Sequence, residues 1–127
     1  MAFQFRKHYT RDEARGLLPE IREWLLELKD LRQRIARQDK RIAELLARGN
    51  DVGGDVVNIW VKTLGNTRAV LKRFAKREIQ IKDLDRGLID FPAIVGGREV
   101  FLCWEQDEED IEFWHDLDTG YAGRERL

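Results

Sequence analysis

The sequence contains no serine, and it has only one cysteine, two prolines and two histidines among its 127 residues. Without serine it cannot assemble a Ser-His-Asp hydrolase triad, and Cys103 alone cannot form an intrachain disulfide. No stretch approaches the ~18 consecutive apolar residues of a membrane span, and residues 1–9 lack the apolar run of a signal peptide. These absences predict a protein of the reducing cytoplasm.

Charge is distributed unevenly along the chain. Residues 1–82 hold 19 Lys/Arg and 11 Asp/Glu, whereas residues 83–127 hold 4 and 13. This split indicates either a nucleic-acid partner for the basic half or attraction between the halves, within a chain or across subunits, and we favour the latter. The length predicts a single α+β domain, 1–127, with a helical hairpin over 10–78 and an acidic β-rich unit over 79–127.

The first half of the chain has the apolar period of a coiled coil. Thr10 and Glu13 form a capping box at the predicted helix start, and Pro19 predicts a kink or restart. Nine of ten seam positions are apolar, which predicts a long helix in a coiled-coil seam. One seam position holds Ala14, Ile21, Leu28, Ile35 and Ile42, and the other holds Leu17, Trp24, Leu31, Gln38 and Leu45.

A second helix follows the break at residues 49–54. Gly49 suits a left-handed helix end, and Asp51 or Asp55 suits the next N-cap. The short connection predicts an antiparallel hairpin. Its second helix repeats the seam with Val57, Leu64 and Leu71, and with Trp60, Thr67 and Phe74.

Two features of the hairpin bear on its packing. Gly65-Asn66 indicates either close packing or a hinge in the second helix, and we favour packing. An apolar stripe beyond the seam, consisting of Leu18, Leu25 and Leu46, predicts a homodimer in which two hairpins form a four-helix bundle.

The C-terminal part alternates like a β-meander. Gly96-Gly97 predicts a tight hairpin turn that places Asp90 opposite Cys103. A four-residue turn then predicts a third strand over 111–116, with Ile111 and Phe113 on the apolar face and Glu112 and Trp114 on the face of Asp90. Carboxylates beside a thiolate and a nearby imidazole suit a divalent transition metal such as zinc. The candidate metal ligands are Asp90, Cys103, Glu112 and His115.

Structural roles for the same residues remain open alternatives. Asp90 suits a backbone acceptor before Phe91-Pro92, Cys103 a small buried side chain, and His115 a satisfied core histidine. His115 reaches the row only if the strand ends or bulges at Trp114. Arg124, in a tail predicted to be loop, is a candidate anion clamp, and the other candidate ligand-binding residues are Trp104, Trp114 and Glu108.

The C-terminal third resembles a family of short bacterial and archaeal proteins filed as domain of unknown function twenty-two-oh-three. The resemblance extends to the start of the chain, at residues 9–20. It implies that several candidate residues belong to the family's signature, but it implies no activity. The matching segments are Lys82-Asp83-Leu84, residues 87–93, residues 100–104, Ile111, Phe113-Trp114-His115 and residues 120–124. The sequence departs from the family pattern at Asp107-Glu108 and at its C-terminal end.

The sequence therefore favours a small oligomeric interaction protein built on a helical hairpin. No complete catalytic motif is present, so it favours a protein that is not an enzyme, with no catalytic residues assigned. The alternative is a metal- or small-ligand-binding protein that uses the C-terminal acidic/Cys/His pocket. A third interpretation is weak nucleic-acid binding by a basic stripe that includes Arg68, Lys72 and Arg73, although a solvated helix face explains that stripe better.

Overall fold

The computed structural model describes residues 2–50 and 53–127, and it confirms the α+β class. The strands form one antiparallel sheet in the order β1-β2-β3-β4-β5. No helix in the described residues is long and apolar enough to cross a membrane. The elements are α1 (Arg11–Ala47), α2 (Asp55–Lys76), β1 (Gln80–Asp83), β2 (Leu88–Val95), β3 (Arg98–Glu105), β4 (Phe113–Asp116), a 3-10 turn (Tyr121–Gly123) and β5 (Glu125–Arg126).

Local hydrogen bonds define both ends of α1. The Glu13 amide donates to Thr10 Oγ1 over 3.1 Å and the Thr10 amide donates to Glu13 Oε1 over 3.0 Å, which confirms the capping box. At the other end Gly49 has φ 76°, and the Asn50 amide donates to the Leu45 carbonyl in a Schellman arrangement. Pro19 lies inside one continuous helix, so the predicted restart is wrong.

The start of α2 differs from the prediction. The Asn58 amide donates to the Gly54 carbonyl over 3.0 Å, so Gly54 stands at the N-cap and Asp55 is the first helical residue. The other candidate cap, Asp51, lies outside the described residues. As an acidic residue in the first turn, Asp55 still interacts favourably with the positive end of the helix dipole.

The chain divides into two compact units, and residues 26–72 form the one that contains the tip of the hairpin. Gln38 Nε2 donates to Thr63 Oγ1 over 3.0 Å, and Trp60 Nε1 donates to Asp39 Oδ1 over 2.9 Å. Because the residue numbers rise on one helix as they fall on the other, these bonds show that the two helical segments are antiparallel. Supercoiling of the pair stays a prediction.

One of the two predicted seam rows of α2 agrees with the structure, since Phe74 is buried and Trp60 and Thr67 are half-buried. The other row lies one residue away from its predicted position. Thr63 and Val70 are buried, whereas Leu64 and Leu71 are 38% and 45% exposed. Leu64 and Leu71 were wrongly assigned to the seam because two adjoining sides of this helix are apolar, and the pattern alone cannot choose between them. The close-packing interpretation of Gly65 is also wrong, since a Cβ there would meet no atom within 4 Å.

The second compact unit consists of residues 1–25 and 73–127. Within it, Leu18 and Leu25 are buried, so they do not supply the exposed stripe that was predicted to join two copies. Leu46, in the other unit, is 58% exposed. Trp24 packs edge-on against Phe74, with their ring centroids 5.3 Å apart.

The register of the β2–β3 hairpin agrees with the prediction at every pair. Gly96 and Gly97 have φ 60° and 77°, as a two-residue primed turn requires, and Asp90 lies opposite Cys103. The predicted register of β4 is wrong by one residue. In the structure Cys103 pairs with Phe113, and Phe101 pairs with His115.

Both ends of the chain bond to the sheet. The tail was predicted to be loop, but its residues Glu125–Arg126 pair with β4 as β5. The Phe3–Phe5 segment, which alternates like a short strand, is not one. Its Gln4 and Phe5 amides donate instead to the Glu99 carboxylate, over 2.7 and 2.9 Å.

Candidate metal centre

Three adjacent strands bring Asp90, Cys103 and His115 to one face of the sheet. Asp90 on β2 lies opposite Cys103 on β3, and His115 on β4 lies opposite Phe101. Phe101 and Cys103 are two residues apart, so their side chains point the same way, and cross-strand partners share a face. The alternation of the strands therefore places one carboxylate, one thiol and one imidazole together.

The three side chains converge in the interior. Their ligand atoms all lie within 4.8 Å of one another, and within the described residues no other group of three or more His, Cys, Asp or Glu side chains is arranged in this way. Asp90 and His115 are each 1% exposed, and Cys103 is 0% exposed. His115 Nε2 lies 2.9 Å from Asp90 Oδ2. Such a buried polar set must be satisfied internally, or by a ligand.

The backbone determines which nitrogen of His115 carries a proton. Nδ1 lies 2.7 Å from the Asp116 carbonyl oxygen, which can only accept a hydrogen bond. Nδ1 therefore carries the hydrogen, and Nε2 is the nitrogen directed at Asp90 and Cys103. Metal-binding histidines use this same arrangement, in which a backbone carbonyl fixes the tautomer and leaves the other nitrogen free to coordinate.

Burial raises the pKa of both acidic groups of the centre. Desolvation raises the pKa of Asp90, and the nearby charges of His115 and Lys82 only partly oppose it. Desolvation, together with the adjacent Asp90 charge, raises the pKa of the Cys103 thiol to about 12. At neutral pH Cys103 is therefore a thiol and a poor nucleophile, which argues against covalent catalysis by this residue.

One oxygen of the centre lacks a partner. Asp90 Oδ1 is buried and accepts no hydrogen bond from the described residues. An orphaned carboxylate oxygen in the interior is costly, and native structures usually satisfy such an atom with water or an ion. This orphan distinguishes the centre from a fully paired structural His–Asp contact.

Aromatic rings cover the centre. The Phe101 ring lies 5.6 Å from the His115 ring, and Phe5 of the N-terminal segment packs on Phe101 at 5.4 Å. Lys82 Nζ lies 4.9 Å from the centroid of the Phe101 ring. The strand alternation already places Phe101 on the face of Asp90 and Cys103. Phe5 could not be predicted, because nothing in the pattern indicates that the N-terminal segment contacts the sheet.

Glu112 does not belong to this group, contrary to its predicted placement beside Cys103. It precedes β4, its carbonyl accepts the Leu127 amide over 2.8 Å, and its carboxylate lies 3.6 Å from Arg126. Phe113 takes the place opposite Cys103 that was predicted for Glu112, and His115 lies two residues further along β4 on the same face, opposite Phe101. No bulge at Trp114 is needed, because the register itself differs.

The loop between β3 and β4 explains the register. It runs over residues 106–112 instead of forming a four-residue turn. Ile111 is therefore a buried residue of this loop and does not belong to a strand. Arg22 donates to the carbonyls of Gln106 and Glu108, and Trp104 Nε1 also donates to the Glu108 carbonyl. The two bonds from Arg22 come from a residue more than 80 positions away in the sequence, so local turn rules cannot predict them.

The remaining candidate residues lie around the centre in different ways. Arg124 donates to Glu108 Oε2 over 2.7 Å and lies close enough to Cys103 to oppose the rise in its pKa. Its guanidinium lies 3.7 Å from the centroid of the Phe113 ring. Trp104 is fully buried on the opposite face of the sheet, and Trp114 lies on that face too, opposite Leu102, which corrects its predicted placement.

The profile of the family described as "Uncharacterized conserved protein (DUF2203)" matches residues 7–127. The match covers nearly the whole chain, so the protein belongs to this family. The resemblance inferred from the sequence is thereby confirmed. No curated protein and no solved structure is significantly similar to the chain.

Proposed function

We propose that this protein binds a divalent transition metal, with Asp90, Cys103 and His115 as its ligands. The observation that carries the proposal is the convergence of three different donor groups at a buried point where one carboxylate oxygen lacks a partner. An oxygen, a sulfur and an imidazole nitrogen together suit zinc, which accepts all three donor types.

Metal binding would require small movements of these side chains. Zinc bonds of about 2.0–2.3 Å place tetrahedral ligand atoms roughly 3.3–3.8 Å apart. Asp90 Oδ2 and His115 Nε2 are 2.9 Å apart and would separate slightly, whereas donors up to 4.8 Å apart would move closer. Three protein ligands leave a fourth position for water or another small ligand.

The metal content of purified protein tests the proposal. Protein prepared without chelators should contain close to one zinc ion per chain by elemental analysis, and His115→Ala should lose it. Cobalt should replace zinc and give the charge-transfer absorption of a thiolate ligand, which Cys103→Ser should abolish while keeping a side chain of similar size.

The matched controls are substitutions of His8, the second histidine of the chain, and of Glu112, the carboxylate predicted as a ligand. His8 pairs with Glu99 at 2.7 Å and Glu112 lies outside the centre, so His8→Ala and Glu112→Gln should keep the metal. Protein without bound metal after growth in zinc-supplemented medium, together with no cobalt spectrum, would remove the proposal. Asp90, Cys103 and His115 would then serve packing alone.

A second candidate function is an interaction module that forms a homodimer through the hairpin. Its support is the exposed apolar side chains on the tip unit, since large exposed apolar surfaces usually mark contact sites. Leu64 and Leu71 lie seven residues apart and therefore share one side of α2, with Val61, which is 54% exposed, in the adjoining turn.

Light scattering tests this second function. It should give about twice the 15.0 kDa chain mass at micromolar concentration. The double substitution Leu64→Lys/Leu71→Lys should yield the monomer, because an ammonium buried in an apolar contact is costly. Leu26→Lys, at a position that is 69% exposed, is the control and should leave the dimer intact. A monomeric wild type would exclude the homodimer.

Other sequence-based functions also stay predictions. Arg124, Trp104, Trp114 and Glu108 remain candidates for binding a small ligand, although Arg124 and Glu108 already pair with each other. Nucleic-acid binding through the basic face of α2 is expected to be weak and salt-sensitive. We propose the cytoplasm as the location, because its reducing environment would keep Cys103 available as a metal ligand.

A further inference from the structure

A groove lies between the two helical segments of the tip unit. Its lining combines arginines of α1 with an apolar part, called the floor below, that consists of Val56 and Ile59 of α2. Ile59 is 56% exposed. The volume of the groove is about 250 Å³, enough for one or two apolar side chains. The lining residues are Arg34, Arg37, Gln38, Arg41, Val56 and Ile59.

The three arginines form a continuous charged edge. Arg34, Arg37 and Arg41 follow the i, i+3, i+7 spacing of one helix side, which spans about 10 Å along the axis. Arg34 pairs with the exposed Asp30 at 3.0 Å, an ion pair that contributes little and exchanges readily. For Arg37 and Arg41 no ion pair is found within residues 2–50 and 53–127.

We propose that this groove binds an acidic amphipathic helix of a partner protein. The partner's apolar side chains would cover Val56 and Ile59, and carboxylates one turn apart would meet the guanidinium groups of Arg34, Arg37 and Arg41. A helix suits this surface because its own side chains recur at the spacing of the three arginines. Guanidinium–carboxylate pairs supply both charge and bidentate geometry.

Charge argues against a second copy of the hairpin as the occupant. Residues 26–72 carry ten Lys/Arg and six Asp/Glu, so a second copy seated in the groove would bring net positive charge against Arg34, Arg37 and Arg41. This argument concerns the groove alone, because the homodimer contact proposed above buries the Leu64 and Leu71 side of α2. The apolar floor argues against nucleic acid. Single strands bind where aromatic rings stack on bases, and the groove has no aromatic lining residue.

Fluorescence anisotropy with a designed peptide tests the inference on the full-length protein. The probe is a fluorescein-labelled helix with leucines at i, i+4 and i+7 and glutamates beside them, and a second peptide replaces each glutamate with glutamine. We expect salt-sensitive binding of the first peptide, and binding about tenfold weaker or worse for the second.

Two double variants with the same change in net charge distinguish an effect of the groove residues from an effect of the protein's overall charge. Arg37→Glu/Arg41→Glu should weaken peptide binding by at least about tenfold. Lys40→Glu/Lys72→Glu changes exposed residues that do not line the groove and should leave binding within about twofold. Ile59→Ala removes part of the floor without changing charge and should weaken binding about fivefold.

Several results would overturn the inference. These are equal losses in both double variants, equal affinity for the glutamine peptide, no binding by the wild type, or tighter binding of single-stranded DNA or RNA at physiological salt. Circular dichroism checks that each variant remains helical, and Ile59→Ala provides an independent readout if a charge variant unfolds. Failure of this test leaves the metal proposal unaffected, because the two sites share no residue.

Discussion

Metal binding at Asp90, Cys103 and His115 should release two protons per ion. One comes from the Cys103 thiol, whose pKa is raised to about 12, so the thiol is protonated at neutral pH. The other comes from the Asp90–His115 pair, which shares one proton between Oδ2 and Nε2. A metal can bind only to the thiolate, the carboxylate and the bare Nε2 lone pair, so both protons must leave.

The release of these two protons sets how strongly the metal affinity changes with pH. Each released proton makes the binding constant rise tenfold per pH unit, so the affinity should rise about 100-fold between pH 6 and pH 7 and fall by the same factor on acidification. The rise of the thiol pKa from 9.0 to about 12 costs about 4 kcal/mol, since each unit corresponds to about 1.4 kcal/mol. At neutral pH the affinity should therefore be roughly a thousandfold below that of the same ligands with an unshifted thiol.

Calorimetry in two buffers with different ionisation enthalpies counts these protons directly. Zinc titrated into metal-free protein should release close to two protons for the wild type. The control is Cys103→Ser, which should release close to one and bind more weakly. Binding that releases no proton, or affinity that does not change with pH, would refute the reasoning, because the buried thiol and the His–Asp pair would then not be the ligands.

Three further predictions concern stability, each measured by denaturant unfolding of metal-free protein. Gly65→Ala should raise the free energy of unfolding by about 1 kcal/mol, because alanine favours helix and its Cβ would meet no atom within 4 Å. Gly87→Ala should lower the free energy of unfolding, because φ is +63° there and the Cβ would lie 2.6 Å from Gln106. Equal effects of the two substitutions would contradict this. Gln38→Leu should stabilise by about 1 kcal/mol, because it removes a buried amide oxygen that has no partner, and a loss would show that the bond to Thr63 matters more. Above pH 9 the thiol of Cys103 ionises in the unfolded chain but stays neutral in the folded protein, because its pKa there is raised to about 12. The free energy of unfolding should therefore fall by about 1.4 kcal/mol per pH unit up to about pH 12. Cys103→Ala should remove this contribution to the pH dependence of stability.

The sequence predicted best where short-range rules apply. The Thr10–Glu13 capping box and the left-handed Gly49 depend on residues only a few positions apart. The β2–β3 register follows from Gly96-Gly97, because a two-residue turn pairs the strands from its own ends and a slip would mix the two faces. The position of Asp90 opposite Cys103 was therefore available from sequence alone.

Other features could not be predicted from local patterns. On α2 two adjoining sides are apolar, and packing alone selects Thr63 and Val70 over Leu64 and Leu71 as the buried set. Whether Asp90, Cys103 and His115 bind a metal stays a prediction, but their proximity is observed, whereas Glu112 was assigned to the same row and lies outside it. The error came from the β3–β4 turn, whose length was assumed from the acidic residues within it.

By itself, the sequence determined the two helices, their antiparallel connection and the pairing of Asp90 with Cys103, since each depends on periodicity or a turn of known geometry. Only the tertiary structure decided that His115 joins this pair. Arg22 and Trp104 hold the 106–112 loop through the carbonyls of Gln106 and Glu108, and this loop sets the β4 register. A one-residue shift moves every β4 side chain to the other face, so contacts with a distant helix determine which residues form the candidate metal centre.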